Sequence, residues 1–400
     1  MLNTSENILD SISFGKIVQI RDKLLQAQTS GKKVYRFESG DPDFSPPPQI
    51  LTAIQKASKE GKTHYSANAG IPELRKAIVN KLESKNGFTN VTTDNIFVTN
   101  GGMNALFAIF MSLLNPNDEV IIPEPMWTEI GENIKLARGI PVPVKLTPET
   151  DYEYSIDKIE EKITLKTKAI YICSPHNPTG AVLSKEKLQK LVNLSNKHNL
   201  WIVTDEAYED IIYHPYNHYS IASLSPDYSE KIISAFSLSK SHAMTGLRVG
   251  YIVTSSEILL KRLPKILRCS INGVNSITQW GAVAALEGDQ SHINVMKNEY
   301  MKRRDIMYNT LSNIEGIKPF LPRGAFYMWV DLENPIYEKL QCKTANEVSD
   351  YLSNLGIGNA PGDCFGSSCQ NSLRFAFSCS TIMVEEGTKV LRKILTKDHF

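Results

Sequence analysis

Through the middle of the chain, short apolar runs rich in β-branched residues alternate with stretches of helical periodicity. The runs lie at 96–99, 119–123, 141–146, 168–173, 200–204, 231–236 and 249–254, and helical patterns occupy about 102–114, 127–138 and 185–198. Strand candidates interleaved with helices predict an α/β fold on a mixed, mostly parallel sheet of these seven strands. The last two runs are separated by a lysine-bearing segment and need not keep the parallel order.

A long helical pattern at about 292–313 follows, strand signals recur at 324–331 and 372–377, and helical patterns occupy about 345–355 and 384–395. This tail predicts a smaller α+β domain. Gly40-Asp41-Pro42-Asp43 and Ser45-Pro46-Pro47-Pro48 form a natural hinge. The expected division is therefore an N-terminal segment 1–45 that joins the small domain, a large domain 46–290 and a small domain 291–400.

Composition changes this picture little. A chain of 400 residues with 42% hydrophobic and 22% charged residues has an ordinary globular make-up and room for two domains. A net charge of +1 gives no reason to expect nucleic acid or an anionic membrane as partner. No apolar run approaches the roughly 20 residues of a membrane span. The stretch from Met1 to Asn7 lacks a basic region leading into an apolar one, so no secretory leader is expected. The six cysteines make no disulfide framework. Cys364, Cys369 and Cys379 lack zinc-site spacing and an accompanying histidine, which predicts free thiols in a reducing cytoplasm and no metal.

The chemistry-bearing residues fall just beyond the predicted strands, where open α/β sheets place their ligands. After 96–99 comes Asn100-Gly101-Gly102-Met103, opening a helix whose free N–H groups suit an anion. After 168–173 comes Ser174-Pro175-His176-Asn177-Pro178-Thr179-Gly180, where prolines hold Asn177 in a turn. Asp205 follows 200–204, and a carboxylate directly after a buried strand is costly unless paired. The segment Ser237-Leu238-Ser239-Lys240-Ser241-His242-Ala243-Met244-Thr245-Gly246-Leu247-Arg248-Val249-Gly250 sets one lysine among small and hydroxyl residues. A lysine that forms a Schiff base needs such an uncrowded approach, and Ser237 and Arg248 can supply donors to a phosphate. Singly, each of these could be an ordinary turn or loop.

Together and in this order, the motifs resemble those of class I and II aminotransferases, the aspartate-aminotransferase-like group of fold-type I pyridoxal-phosphate (PLP) enzymes. The resemblance runs from about Phe37 to the end of the chain. It implies that Lys240 carries PLP and shuttles a proton, and that Asp205 pairs with the pyridinium nitrogen. Tyr208 and Asn177 would hold the phenolic oxygen, and Trp127 would stack on the ring. Gly101, Gly102, Met103, Ser237, Ser239 and Arg248 would form the phosphate cradle. Arg374, with Gly40 and Asn177, would hold the substrate α-carboxylate. Tyr65, in Thr63-His64-Tyr65-Ser66, would reach the phosphate in a partner subunit, implying a homodimer with shared sites. His176 reads as a loop residue, and Glu206, Glu209 and Asp210 as a solvated helix start.

The implied activity moves an amino group from an L-amino acid (aspartate, an aromatic or another apolar donor) to a 2-oxo acid, 2-oxoglutarate by family analogy. A carbon–sulfur β-lyase on the same cradle is the alternative. A non-enzymatic PLP-binding regulator is disfavoured by the short segment ahead of Gly40 and by the intact lysine, aspartate and arginine. One departure stands out. Related bacterial aspartate enzymes have lysine after the double glycine where this chain has Met103, which tilts the expected donor away from strict aspartate use.

Overall fold

The structure, a computed structural model, describes residues 7–13, 15–225 and 230–397, so Met1 to Glu6 of the stretch read above for a leader lie outside them. Seven strands form the larger sheet: β1 (Ile96–Thr99), β2 (Glu119–Glu124), β3 (Ile140–Lys145), β4 (Thr167–Cys173), β5 (Trp201–Asp205), β6 (Ile232–Ser237) and β7 (Gly250–Val253). Their order is β1-β7-β6-β5-β4-β2-β3, and only β7 runs antiparallel to its neighbours. Each expected run is a strand, with ends moved by a residue or two. Asp205 closes β5 rather than following it, and Trp127 precedes the helix Thr128–Leu136 rather than opening it.

Both faces of this sheet are covered, which is why its central strands read as unbroken apolar runs. Alternate residues such as Phe97, Val120, Tyr171, Val203 and Ala235 pack with Ala105, Ile109 and Leu113 of the helix Gly102–Leu113. Their neighbours Ile121, Ile170 and Ile202 face a second core that includes Leu188 and Leu191 of the helix Lys185–Lys197. β3 is the partly exposed edge, so it tolerates Pro141 and Pro143, whose missing N–H groups would be missed in a central strand.

The smaller sheet has the order β10-β11-β9-β8, from β8 (Ile317–Pro319), β9 (Tyr327–Leu332), β10 (Ala360–Pro361) and β11 (Ser372–Ala376), all antiparallel. The helices Ser291–Leu311 and Thr381–Thr396 share its core, and so do Tyr35 and Phe37 from the N-terminal part of the chain. The Phe37 carbonyl accepts the Ala376 N–H at 2.6 Å, and Tyr35 bridges to Ile357. Among the described residues no helix is long and apolar enough to cross a membrane.

Three helices ahead of the large sheet, Lys16–Thr29, Pro48–Lys59 and Pro72–Lys81, form no part of the sequence-based outline, nor does Glu257–Ser270. The last contains Pro264, which reads as a helix breaker until the packing of Leu259, Leu263 and Leu267 outweighs it.

Candidate active site

Because β7 runs backward, β1, β2, β4, β5 and β6 all present their carboxyl ends at one edge of the large sheet. A cavity of about 400 Å³ opens there, against the start of the small sheet's β9 and β11 residues Tyr327 and Arg374. Its floor holds Asp205, Asn177, Ser237 and Lys240.

The cradle end is built by register. Ser237 pairs with Gly250 on β7, which pairs with Thr99 on β1. A side chain at Gly250 would run into the Phe236 carbonyl and the Gly101–Gly102 backbone, so glycine lets the three strand ends lie close. Gly101, at φ +82°, precedes the helix Gly102–Leu113, and a methyl group there would strike the Arg248 guanidinium. That guanidinium donates to the Thr245 carbonyl at 2.8 Å and the Asn100 carbonyl at 3.3 Å. The Ser237 hydroxyl accepts the Ser239 N–H at 3.2 Å. Hydroxyls, a guanidinium and a helix N-terminus thus converge, a donor set for a phosphate-sized anion.

Asp205 is 7% exposed. Its oxygens accept the Ala207 N–H at 3.1 Å and the Tyr171 hydroxyl at 3.0 Å, and among the described residues no cation forms an ion pair with it. Burial pushes its carboxyl up to about 6, while the two donated bonds pull it back. Lys240 sits on the single turn Leu238–Ser241 that follows β6, and its Nζ donates to the Gly40 carbonyl at 2.6 Å. Burial brings its ammonium down to about 8. Nearby Asp41 opposes this shift, and Arg248 and Arg374 add to it.

Arg374, 4% exposed, donates to Asn177 Oδ1 at 3.2 Å and to the Glu38 carbonyl at 2.8 Å. The Tyr327 and Phe365 rings flank its guanidinium at 4.4 and 4.9 Å, and its Nε has no partner. Among the described residues no carboxylate pairs with this buried cation. The Tyr208 and Tyr327 hydroxyls share a hydrogen bond of 2.7 Å, and burial raises both phenols. A side chain at Gly40 would collide with the Tyr327 hydroxyl, so this glycine is required by close approach. The strap 38–43 is pinned from the small-sheet side, where Arg303 grips Asp43 through two bonds of 2.7 and 3.2 Å.

The residues singled out in the sequence converge with one exception. Gly40, Gly102, Met103, Trp127, Asn177 and Asp205 line the cavity. Tyr208, Ser237, Ser239, Lys240, Arg248 and Arg374 complete that lining, and Gly101 backs it through Arg248. Tyr65 is 92% exposed and stands away from its own chain's cavity. The carboxylates expected at a solvated helix start are instead largely buried and bonded: Glu206 to Thr204, His218 and Ser220, and Glu209 to Lys81 at 2.5 Å. His176 is buried against Thr179 and lies outside the cavity lining. Tyr327, Glu38 and Tyr171 belong to the site's build without having stood out in the sequence. A tyrosine within an apolar run reads as core, and only the partner of its hydroxyl reveals more.

Comparison with known proteins points to one family. A family model described as aminotransferase class I and II matches residues 32–391. The chain is 35% identical over 379 residues to a probable aspartate/prephenate aminotransferase of Aquifex aeolicus, covering 94% of each. Its structure resembles the aspartate aminotransferase from Thermus thermophilus with maleate (TM-score 0.91, 29% identity, 98% of this chain and 100% of that one). It also resembles the aromatic aminotransferase from Pyrococcus horikoshii OT3 (TM-score 0.86, 30% identity, 94% and 99%).

Proposed function

The chain belongs to the class I and II aminotransferase family, and on that premise we propose that its cavity binds PLP and that the residues converging there carry out transamination. The site fits the group. The cradle of Gly101, Gly102, Ser237, Ser239 and Arg248 suits its phosphate, and no methyl group could be added at Gly101 without striking Arg248. Asp205 offers a buried carboxylate to the ring nitrogen, the Trp127 ring a face, Asn177 and Tyr208 donors to the phenolic oxygen, and Lys240 an amine to the aldehyde carbon. When bound, PLP supplies an electron sink that acidifies the donor's Cα–H.

The chain's residues do the rest. Arg374 binds the substrate α-carboxylate through its planar guanidinium fork, with Asn177 beside it. The strap at Gly40 lies beside that contact, against Lys240 and Tyr327. Lys240 Nζ would act as base toward the donor's Cα–H and then, as the ammonium, as acid toward the carbon on the far side of the donor's nitrogen. Its amine, brought down to about 8, is accessible in both protonation states near neutrality. Tyr208 donates its phenolic proton towards the ring and is steadied by Tyr327.

The observation that carries this reading is the pairing of opposites in one cavity: among the described residues, Arg374 is a buried cation with no carboxylate at ion-pair distance and Asp205 a buried carboxylate with no cation at ion-pair distance. An amino acid joined to a pyridinium satisfies both. Met103, Leu106, Ile17 and Val18 line the cavity alongside Arg21 and Glu129, and the apolar members together with Met103 in place of a lysine support a donor with an apolar or aromatic side chain. The exposed Tyr65 supports a homodimer with composite sites. The division into 1–45, 46–290 and 291–400, and a cytoplasmic location, belong to the same proposal.

The test is a titration of PLP-free protein with PLP, followed by a panel of L-amino acids with 2-oxoglutarate. Stoichiometric uptake lost in Lys240→Ala, with glutamate formed from apolar and aromatic donors, is the expected result. Uptake unaffected by Lys240→Ala, or turnover of aspartate alone, would overturn the cofactor or the donor assignment respectively.

A further inference from the structure

Asp205 presents an unresolved problem of support. A buried carboxylate without a cation is costly, and it relaxes either by protonating or by turning toward another donor. The backbone supplies one donor, the Ala207 N–H, within the same turn. The second comes from the neighbouring strand. Cys173 on β4 is in register with Asp205 on β5, and Tyr171 lies two positions back, in register with Val203. Residues two apart on a strand share a face, so the Tyr171 phenol extends along the sheet beneath Asp205. Its hydroxyl meets Oδ2 at 3.0 Å.

We propose that Tyr171 is a positioning residue for the transamination site, its buried hydroxyl fixing the Asp205 carboxylate so that the remaining acceptor positions face the cavity. The inference rests on the reading above, in which Asp205 meets the cofactor's ring nitrogen. A carboxylate has about four acceptor positions. Ala207 and Tyr171 occupy one on each oxygen, from the turn and from the sheet, and the rest stay open toward the ligand. Tyr171 is itself 0% exposed, packs against Phe110 at 6.4 Å between ring centroids, and does not line the cavity. It therefore acts through Asp205 rather than on substrate.

The surrounding charges make this donor matter. Glu206, next in the chain, disfavours ionisation of Asp205, and Lys240 favours it weakly. The Glu206 carboxylate is held away by Thr204 at 2.8 Å and His218 at 2.9 Å. The other titratable groups around Asp205 are Cys173, Tyr154 and Tyr208, all held neutral by burial. Apart from Ala207, the Tyr171 hydroxyl is the hydrogen-bond donor that reaches Asp205 among the described residues. Without it the carboxyl, already at about 6, moves further up and becomes neutral nearer to neutral pH.

The test uses PLP-free protein and 4′-deoxypyridoxine 5′-phosphate, which lacks the aldehyde, so that reaction with Lys240 contributes nothing to its affinity. Tyr171→Phe keeps the ring and removes only the hydroxyl. It should weaken binding of this probe about tenfold at neutral pH and move the acid limb of the affinity profile to higher pH. In an Asp205→Asn background the same substitution should change affinity by less than about twofold. Should Tyr171→Phe give no folded protein, Tyr171→His, whose ring N–H can still donate, is compared with Tyr171→Leu beside native Asp205: the first should keep the larger part of the affinity, and equal affinities overturn the proposal. An equal loss in both backgrounds, or none beside native Asp205, overturns the proposal. Failure of the native chain to bind the probe at all would instead overturn the PLP reading itself.

Discussion

Replacing Arg374 with methionine separates a binding role from a structural one. The guanidinium makes two hydrogen bonds to neutral acceptors, Asn177 Oδ1 and the Glu38 carbonyl, and lies between two aromatic rings, with Nε unpaired. In the free protein its contributions oppose one another. Losing the donors leaves a buried carbonyl and amide oxygen unsatisfied, at about 1–3 kcal/mol each, and the ring contacts are worth about 0.5–2 kcal/mol. Against this, methionine removes a buried charge that no carboxylate balances, whose desolvation costs several kcal/mol. The net change in unfolding free energy should therefore stay within about 2 kcal/mol. Substrate binding has no such cancellation. A desolvated, charge-assisted fork to a carboxylate is worth about 2–5 kcal/mol, or roughly 30- to several-thousand-fold in affinity at 1.4 kcal/mol per factor of ten. Steady-state KM for the amino donor, beside a denaturant unfolding curve, measures both. A rise in KM of about 30-fold or more with stability nearly intact is the expected pattern. An unchanged KM for every donor, together with a large loss of stability, would show that Arg374 serves the small-sheet core and that another cation holds the carboxylate.

Three further outcomes follow from the same geometry. Burial lowers Lys240 from 10.5 to about 8, so its amine is protonated below that pH and nucleophilic above it. The rate at which PLP-free protein captures PLP should climb as pH rises through about 8 and then level off, whereas a climb continuing toward 10.5 would mean an exposed lysine. Gly101→Ala forces a side chain at φ +82° into the Arg248 guanidinium. It should weaken affinity for PLP far more than for pyridoxal, which lacks the phosphate, and an equal loss for both would remove Gly101 and Arg248 from the phosphate cradle. Mixed dimers of Lys240→Ala and Tyr65→Ala chains should regain activity approaching one good site per dimer. Confirmed mixed dimers that stay inactive, where Tyr65→Ala alone is strongly impaired, would rule out sharing of sites through the exposed Tyr65.

Much of this fold was legible because burial on both faces leaves a plain sequence trace. β4 and β5 are unbroken apolar runs flanked by turn residues, and their register sets Cys173 beside Asp205 whatever the loops do. The cradle was legible for a related reason: Asn100-Gly101-Gly102 and the segment from Ser237 to Gly250 are two dense motifs, far apart in sequence, whose Gly101 and Gly250 answer to close approach. What stayed hidden shares one physical cause. Tyr171, Tyr327 and the Glu38 carbonyl act through a single polar atom at the end of an otherwise core-like residue or on the backbone. Their partners lie 34, 119 and 336 positions away along the chain. Periodicity records which face a residue occupies but not which atom its hydroxyl meets. The helix Glu257–Ser270 was hidden differently, since the local penalty of Pro264 is overridden by a buried leucine stripe that the sequence shows only once the breaker is ignored. The motif residues therefore mark where the chemistry lies, while the groups that hold those residues in a working state are set by contacts between strands. If that is right, Tyr171→Phe and Tyr327→Phe should each lower activity without touching any residue that the family motifs contain, the first through Asp205 and the second through Tyr208. Full activity in both variants would show that the motif residues are held by the backbone alone.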